Sequence, residues 1–271
     1  LGSEISGAYK INRIINEFHP EEIPIFGSSR AEGCYFPDSI SSTCFNYGLS
    51  GTQDDVILFF LSEELKKNKT TPIIVNFDMD GLNRSIGDVG YYLYNSNNVG
   101  INRLLGDKYK TLYRIPFLKY YGFFEVNCKY YLNSKVNFTK LVSNGGSFEK
   151  NSFPEDKFKE LVRIRSESVT VFHNDVKLKQ HFFSLIRSTS RKIVIVIAPY
   201  HISFFKKFRN LKDFRNFKEE LKQFENVEVV DMSQSIKADS LFFDTSHLNY
   251  KGAEFFSQQL EEHVRYGIQL K

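Results

Sequence analysis

Two short stretches, far apart in the chain, hold residue types that can do nucleophilic chemistry together. In FGSSRAEG, Phe26 to Gly33, two hydroxyl side chains, Ser28 and Ser29, follow a glycine and precede Arg30. Near the other end, in FFDTSHLNYKGAEFF, Asp244 and His247 lie three residues apart. A serine hydroxyl is a poor nucleophile at neutral pH and needs an imidazole to take its proton. The imidazole needs a carboxylate that fixes its tautomer and stabilises the imidazolium. One Asp-x-x-His loop supplies both, so Asp244 and His247 with either serine form a candidate catalytic set. Taken alone, Gly-Ser-Ser is equally an ordinary turn with a helix N-cap, and Asp244 an ordinary capping residue.

Other polar residues compete for a role. His201, in IAPYHIS, follows an apolar run and is a candidate substrate contact, whereas His19, His173, His181 and His263 read as solvated or core-edge groups. Arg30 reads either as a surface charge or as a group that holds an anion or pairs with Asp78 or Asp80. Three cysteines, Cys34, Cys44 and Cys128, form no CxxC and no metal-ligand spacing, so neither a metal nor a cofactor is expected. Cys34 and Cys44 bracket a short loop and read either as a disulfide or as free thiols.

The elements that must position these groups alternate along the chain. Short apolar runs at 23–26, 44–49, 72–77, 192–199 and 227–232 are the expected strands, and near-continuous Val/Ile in the third and fourth implies that both faces are covered. Helical patterns fall at 54–69, 174–192, 204–225 and 249–264. That alternation predicts a three-layer α/β/α domain on a five-stranded parallel sheet. In such sheets functional groups collect at the carboxyl ends of the strands, which is where Ser28 and Ser29 fall. Residues 81–170, rich in Tyr, Phe, Asn and Lys, break the rhythm and read as an insertion after the third strand, either a lid over the site or a surface elaboration. The whole of 1–271 reads as one domain carrying that insertion.

Bulk composition narrows the classes further. The net charge of +4 is the small difference between 36 basic and 32 acidic residues, with no dense basic block, so nucleic acid is not an expected partner. The longest apolar run, Ile193 to Ala198, is far short of the ~20 residues of a membrane-spanning helix. The opening LGSEIS has the character of an expression remnant, which leaves room for a native signal or anchor ahead of residue 1.

GSS near the start, FNYGLSG in the middle and DxxHLNxxG near the end resemble, in order, the blocks of the SGNH (GDSL-like) hydrolase superfamily. The first block is similar to the GSS/GSSR-type branch, which includes bacterial cell-envelope proteins such as the D-alanyl transfer protein of teichoic acid modification and polysaccharide O-acetylation proteins. The resemblance implies a flavodoxin-like fold with Ser29 as nucleophile and oxyanion donor, Gly48 as second oxyanion donor with Gly51 as second choice, His247 as general base and Asp244 as its orienter. It further implies an esterase or O-acyltransferase working through an acyl-serine, with an acyl donor and a carbohydrate acceptor, or an acylated carbohydrate, as partners. It places the protein outside the cytoplasm, at the cell envelope and attached to or associated with a membrane. The sequence departs from the family at the third block, where VNFDMDGL offers Asp78 and Asp80 in place of an asparagine oxyanion donor, with Asn76 too early; Arg30 is a candidate substitute. Those departures also support a second expectation, a catalytically weak accessory module of a polysaccharide-modification system.

Overall fold

The apolar runs lie side by side in the computed structural model, which describes residues 4–5, 7–52, 54–82, 128, 140–151, 154–167 and 170–265. They form β1 (Ile23–Phe26), β2 (Cys44–Asn46), β3 (Ile73–Asn76), β4 (Ile193–Ile197) and β5 (Val227–Asp231), all parallel, in the spatial order 2-1-3-4-5. Ile74 of β3 sits between Ile25 of β1 and Val194 of β4, which fixes the central register. The strand order reverses at β1 and β3, and in doubly wound sheets that reversal opens a crevice beyond the carboxyl ends.

The helices are α1 (Gly7–Asn16), α2 (Ser29–Cys34), α3 (Pro37–Ile40), α4 (Asp54–Leu65), α5 (Glu155–Glu167), α6 (Val176–Arg187), α7 (Ile202–Phe205), α8 (Leu211–Leu221) and α9 (Tyr250–Arg265). Alternation along β4 sends Ile193, Ile195 and Ile197 to one face and Val194 and Val196 to the other. The first face packs on α1, α4, α6 and α8; the second packs on α2, α3 and α9, with Phe158 of α5. Burial on both sides is why β3 and β4 read as unbroken apolar runs.

Several boundaries differ from the sequence pattern for local reasons. Within the run at 44–49 the regular strand ends at Asn46, whose side-chain amide donates to the carbonyls of Ala31 and Tyr35 and accepts the N–H of Gly48, while the Tyr47 and Leu49 N–H groups still reach the Ile25 and Gly27 carbonyls. The helix expected over 204–225 is two helices, because Asn210 adopts a left-handed conformation (φ 39°) and its amide exchanges hydrogen bonds with the Phe172 backbone. Helices α1 and α5 were not anticipated by the pattern. Cys34 and Cys44 are free and buried, and burial pushes their thiols up to about 11 and about 12.

Most of the expected insertion, 83–127 and 129–139, lies outside the described residues. Its described end is a hairpin, Lys140–Ser143 with Gly146–Glu149, turned at Asn144 and Gly145, both at positive φ as a tight hairpin turn requires. The Asn144 carbonyl accepts the Asn46 N–H at 2.8 Å, so this turn closes the outer edge of β2.

The face assignment of α9 makes a quantitative prediction. Leu260 is fully buried against the sheet while Phe255 is 47% exposed on the other side of the same helix. Leu260→Ala is expected to lower the unfolding free energy by about 2–5 kcal/mol, and Phe255→Ala by less than about 0.5 kcal/mol, both read by urea denaturation.

Candidate active site

The chain leaves β1 at Phe26 and enters α2 at Ser29 through Gly27 and Ser28. Only glycine fits at 27: a Cβ there would lie 2.5 Å from Ala31 Cβ and 2.8 Å from Asn76 Cβ. Ser28 is the N-cap, its Oγ accepting the Arg30 N–H at 3.3 Å and donating to Asp78 Oδ2 at 2.6 Å. Ser29 is the first helical residue, so its N–H has no acceptor within the helix. The two serines therefore face different partners. Ser29 Oγ lies 2.9 Å from His247 Nε2, across 218 residues of sequence.

His247 is held from behind by Asp244, whose Oδ2 and Oδ1 lie 2.9 and 3.0 Å from Nδ1. Asp244 Oδ1 also accepts the backbone N–H groups of Ser246 and His247, each at 2.7 Å, so the same carboxylate shapes the loop and orients the ring. Burial alone would raise the Asp244 pKa, but these hydrogen bonds and the His247 charge outweigh it and bring it down to about 2. An ionised carboxylate only accepts, so Nδ1 carries a proton toward Asp244, and in the tautomer that has its single proton there the Nε2 lone pair faces the Ser29 hydroxyl.

Arg30 is not a surface charge. Its guanidinium is buried, 2.8 Å from Asp78 Oδ1, and donates to the carbonyls of Ala198 (2.7 Å), Pro199 (2.8 Å) and Ser246 (3.0 Å). Its face lies 3.4 Å from the ring centre of Tyr200. With its nitrogens committed in this way, Arg30 ties the ends of β3 and β4 to the histidine loop, and this tethering replaces its expected role as an oxyanion donor.

The segment after β3 supplies no amide to the crevice. Asn76 is buried, accepting from Tyr35 Oη at 2.9 Å and donating to Asp78 Oδ1 at 2.9 Å. Met79 is buried as well. Asp78 accepts hydrogen bonds from Ser28, Arg30 and Asn76. Asp80 reaches solvent through the cleft mouth, yet the protein packed around it and the charge of Asp78 push its carboxyl up to about 6.

Two expected positions are corrected. The Gly48 N–H donates to Asn46 Oδ1 at 2.8 Å in a buried setting, so it does not point into the crevice. Gly51 does line it, at φ 75° in a turn closed by the Thr52 N–H on the Leu49 carbonyl (3.2 Å), a conformation that favours glycine. His201 is also away from the cleft. It is the N-cap of α7, with Nδ1 2.7 Å from Ser203 Oγ and Nε2 3.1 Å from Asp239 Oδ1, wedged edge-on between Phe158 and Phe242.

The cleft has room for about 220 Å³. It is lined by Ser29 and His247, by Gly51 and Thr52, and by Asp54, Asp78 and Asp80 among its polar groups. Tyr200, Phe204 and Phe208 form an aromatic wall, with ring centres 5.3–5.4 Å apart. The sequence reading missed this wall, although the spacing of four residues between its members was a visible helical signal. Among the described residues, no group of three His, Cys, Asp or Glu is arranged to hold a metal ion.

A protein-family model matches residues 155–268, a span that contains Asp244 and His247 but not Ser29. No curated protein matches the chain. Among solved structures, the chain is similar to that of a Streptococcus pneumonia protein provisionally named a platelet activating factor, at 15% identity over 96% of this chain and 91% of that one, with a TM-score of 0.46.

The Asp244 pKa sets a pH signature. Its folded value lies below its unfolded value, so the native state binds fewer protons, and the stability this contributes is complete above about pH 4. It is lost as pH falls through about 2. Asp244→Asn is expected to be less stable than the wild type by on the order of 2 kcal/mol at pH 6, with the gap closing between pH 4 and pH 2 in acid-unfolding curves.

Proposed function

We propose that the chain is a serine-dependent acyl-group enzyme of the SGNH (GDSL-like) type, an esterase or O-acyltransferase. The observation that carries the reading is the continuous line Ser29 Oγ, His247 Nε2, His247 Nδ1, Asp244 Oδ2, with both hydrogen-bonded gaps at 2.9 Å. Ser29 Oγ attacks the ester carbonyl while His247 Nε2 takes its proton, and the carbonyl π electrons move onto the oxygen. The tetrahedral oxyanion is received by the N–H groups of Ser29 and Gly51. Its collapse expels the alcohol, protonated by His247, and leaves an acyl-serine. Water or a second alcohol, deprotonated by His247, then takes the acyl group and restores the hydroxyl.

The cleft walls support a division of the substrate. Tyr200, Phe204 and Phe208 give the acyl portion an apolar surface, and Asp54 and Asp80 place carboxylates where they can accept hydrogen bonds from the hydroxyls of a carbohydrate. A carbohydrate of the bacterial cell envelope as the alcohol side, and a location there, follow from the resemblance of the sequence blocks. Among the described residues no helix is long and apolar enough to cross a membrane.

A second reading, a binding module with little turnover, is favoured by one observation: carboxylates stand after β3 where an amide would stabilise the oxyanion. Lacking one such donor costs about 2.7–4 kcal/mol of transition-state stabilisation. A fluorophosphonate probe separates the two. The enzyme reading expects a mass adduct on Ser29 that is lost in Ser29→Ala, retained in Ser28→Ala and slowed by about 10³-fold or more in His247→Ala. No adduct, together with no hydrolysis of p-nitrophenyl acetate, favours the binding module.

A further inference from the structure

We infer that Lys10, a residue of α1 that does not itself line the cleft, is a positioning residue that sets the Gly51 turn through Glu32 and Ser50. The inference rests on Ser29 being the nucleophile and on Gly51 receiving the oxyanion. Lys10 lies on the buried side of α1 beside Ile11 and Ile14, and none of it is exposed. Taking an ammonium out of water costs several kcal/mol unless it is well partnered. A methionine fills the same slot without that cost, so the partners of the ammonium explain why a charge stands there.

Those partners lie directly behind the residues that line the cleft, Glu32 in the helix that begins at Ser29 and Gly48 three residues before Gly51. Lys10 Nζ donates to the Gly48 carbonyl and lies 3.7 Å from Glu32 Oε1. The other oxygen of Glu32 accepts the Ser50 N–H at 3.0 Å and the Ser50 hydroxyl. Glu32 itself sits in α2, three residues after Ser29, with its N–H on the Ser28 carbonyl at 3.1 Å. The Leu49 N–H reaches back to the Gly27 carbonyl at 3.1 Å. Gly48 also lies too close to α2 for a side chain, since a Cβ there would be 2.3 Å from Glu32 N.

Leu49 and Ser50 are thus tied by their N–H groups to the Gly27 carbonyl and the Glu32 carboxylate of the segment that carries Ser29, Gly48 packs directly against that segment, and Lys10 bridges the two. The Gly51 N–H takes no partner among the described residues. It is the next donor along a turn whose preceding three residues are fixed. Without the Lys10 ammonium, the Gly48 carbonyl loses its donor and Glu32 loses its counter-charge, so the turn is free to shift against α2. A displacement of ~1 Å at a catalytic donor lowers turnover by about 10²-fold.

Lys10→Met tests this. With p-nitrophenyl acetate, kcat is expected to fall about 10- to 100-fold with KM within about threefold, and fluorophosphonate labelling of Ser29 to slow in parallel, while the urea midpoint is unchanged or higher. A folded Lys10→Met with wild-type kcat and labelling rate overturns the inference. So does a loss that falls equally on KM and tracks the loss of folded protein. Should Lys10→Met fail to fold, Glu32→Gln carries the test, since it keeps the side-chain shape and removes only the charge joining the two ends: reduced kcat at constant KM supports the relay, and unchanged kcat overturns it. If wild-type Ser29 itself takes no label, the failure lies in the nucleophile assignment; normal wild-type labelling with an unaffected variant places it in the relay alone.

Discussion

The crevice depends on one buried guanidinium. Arg30 gathers Asp78 from the end of β3, the Ala198 and Pro199 carbonyls from the end of β4 and the Ser246 carbonyl from the histidine loop, with Tyr200 against its face. It sits one residue after Ser29, so the serine and the network holding its base are fixed to the same turn of backbone. A planar donor fork suits this task because it satisfies several carbonyls in fixed directions, which a lysine ammonium does not reproduce. Removing it would leave buried carbonyls and a carboxylate without donors, which is costlier than losing the bonds themselves.

That arrangement gives the cleft two unlike sides. Asp78 is absorbed into the Arg30 network, and Asp80 is left at the mouth with its carboxyl pushed up to about 6. Among the described lining residues Arg30 is the one arginine or lysine and it is already paired with Asp78, so the polar lining suits hydrogen-bonding neutral groups better than anions. The aromatic wall is rigid, each ring packed on the next. Together they favour a ligand with an apolar end and a hydroxylated end.

Much of the fold was legible because β3 and β4 are continuous Val/Ile runs that only a sheet covered on both faces explains. Asp244 and His247 drew attention through their acid–base chemistry, while the preference for Ser29 over Ser28 came from the resemblance of the sequence blocks; the structure sets Ser29 beside His247 and Ser28 on Asp78. What was hidden depends on contacts between distant residues. The resemblance ranked Gly48 ahead of Gly51, and what turns Gly48 away from the crevice, Asn46 taking its N–H, is a contact that spacing alone does not show. For Arg30 the sequence left a surface charge and a pair with Asp78 or Asp80 both open; the Asp78 pair is the one that forms, and the backbone carbonyls that take its other nitrogens are what no sequence pattern reveals. His201 stood at the right strand end but caps a four-residue helix, while the rings on either side of it in sequence, Tyr200 and Phe204, face the cleft.

The 218 residues between Ser29 and His247 also bear on how the chain is made. Synthesis proceeds from the N-terminus at about 5–20 residues per second, so the serine leaves the ribosome roughly 10–40 s before its histidine exists. Through that interval β1, β2 and β3 can pair, but the hydroxyl has no base, and Arg30 lacks the carbonyls that β4 and the last loop provide. On the nascent chain Ser29 is therefore without the neighbours that surround it in the fold, and the hydrogen bond to His247 forms only once the Asp244–His247 loop has been made.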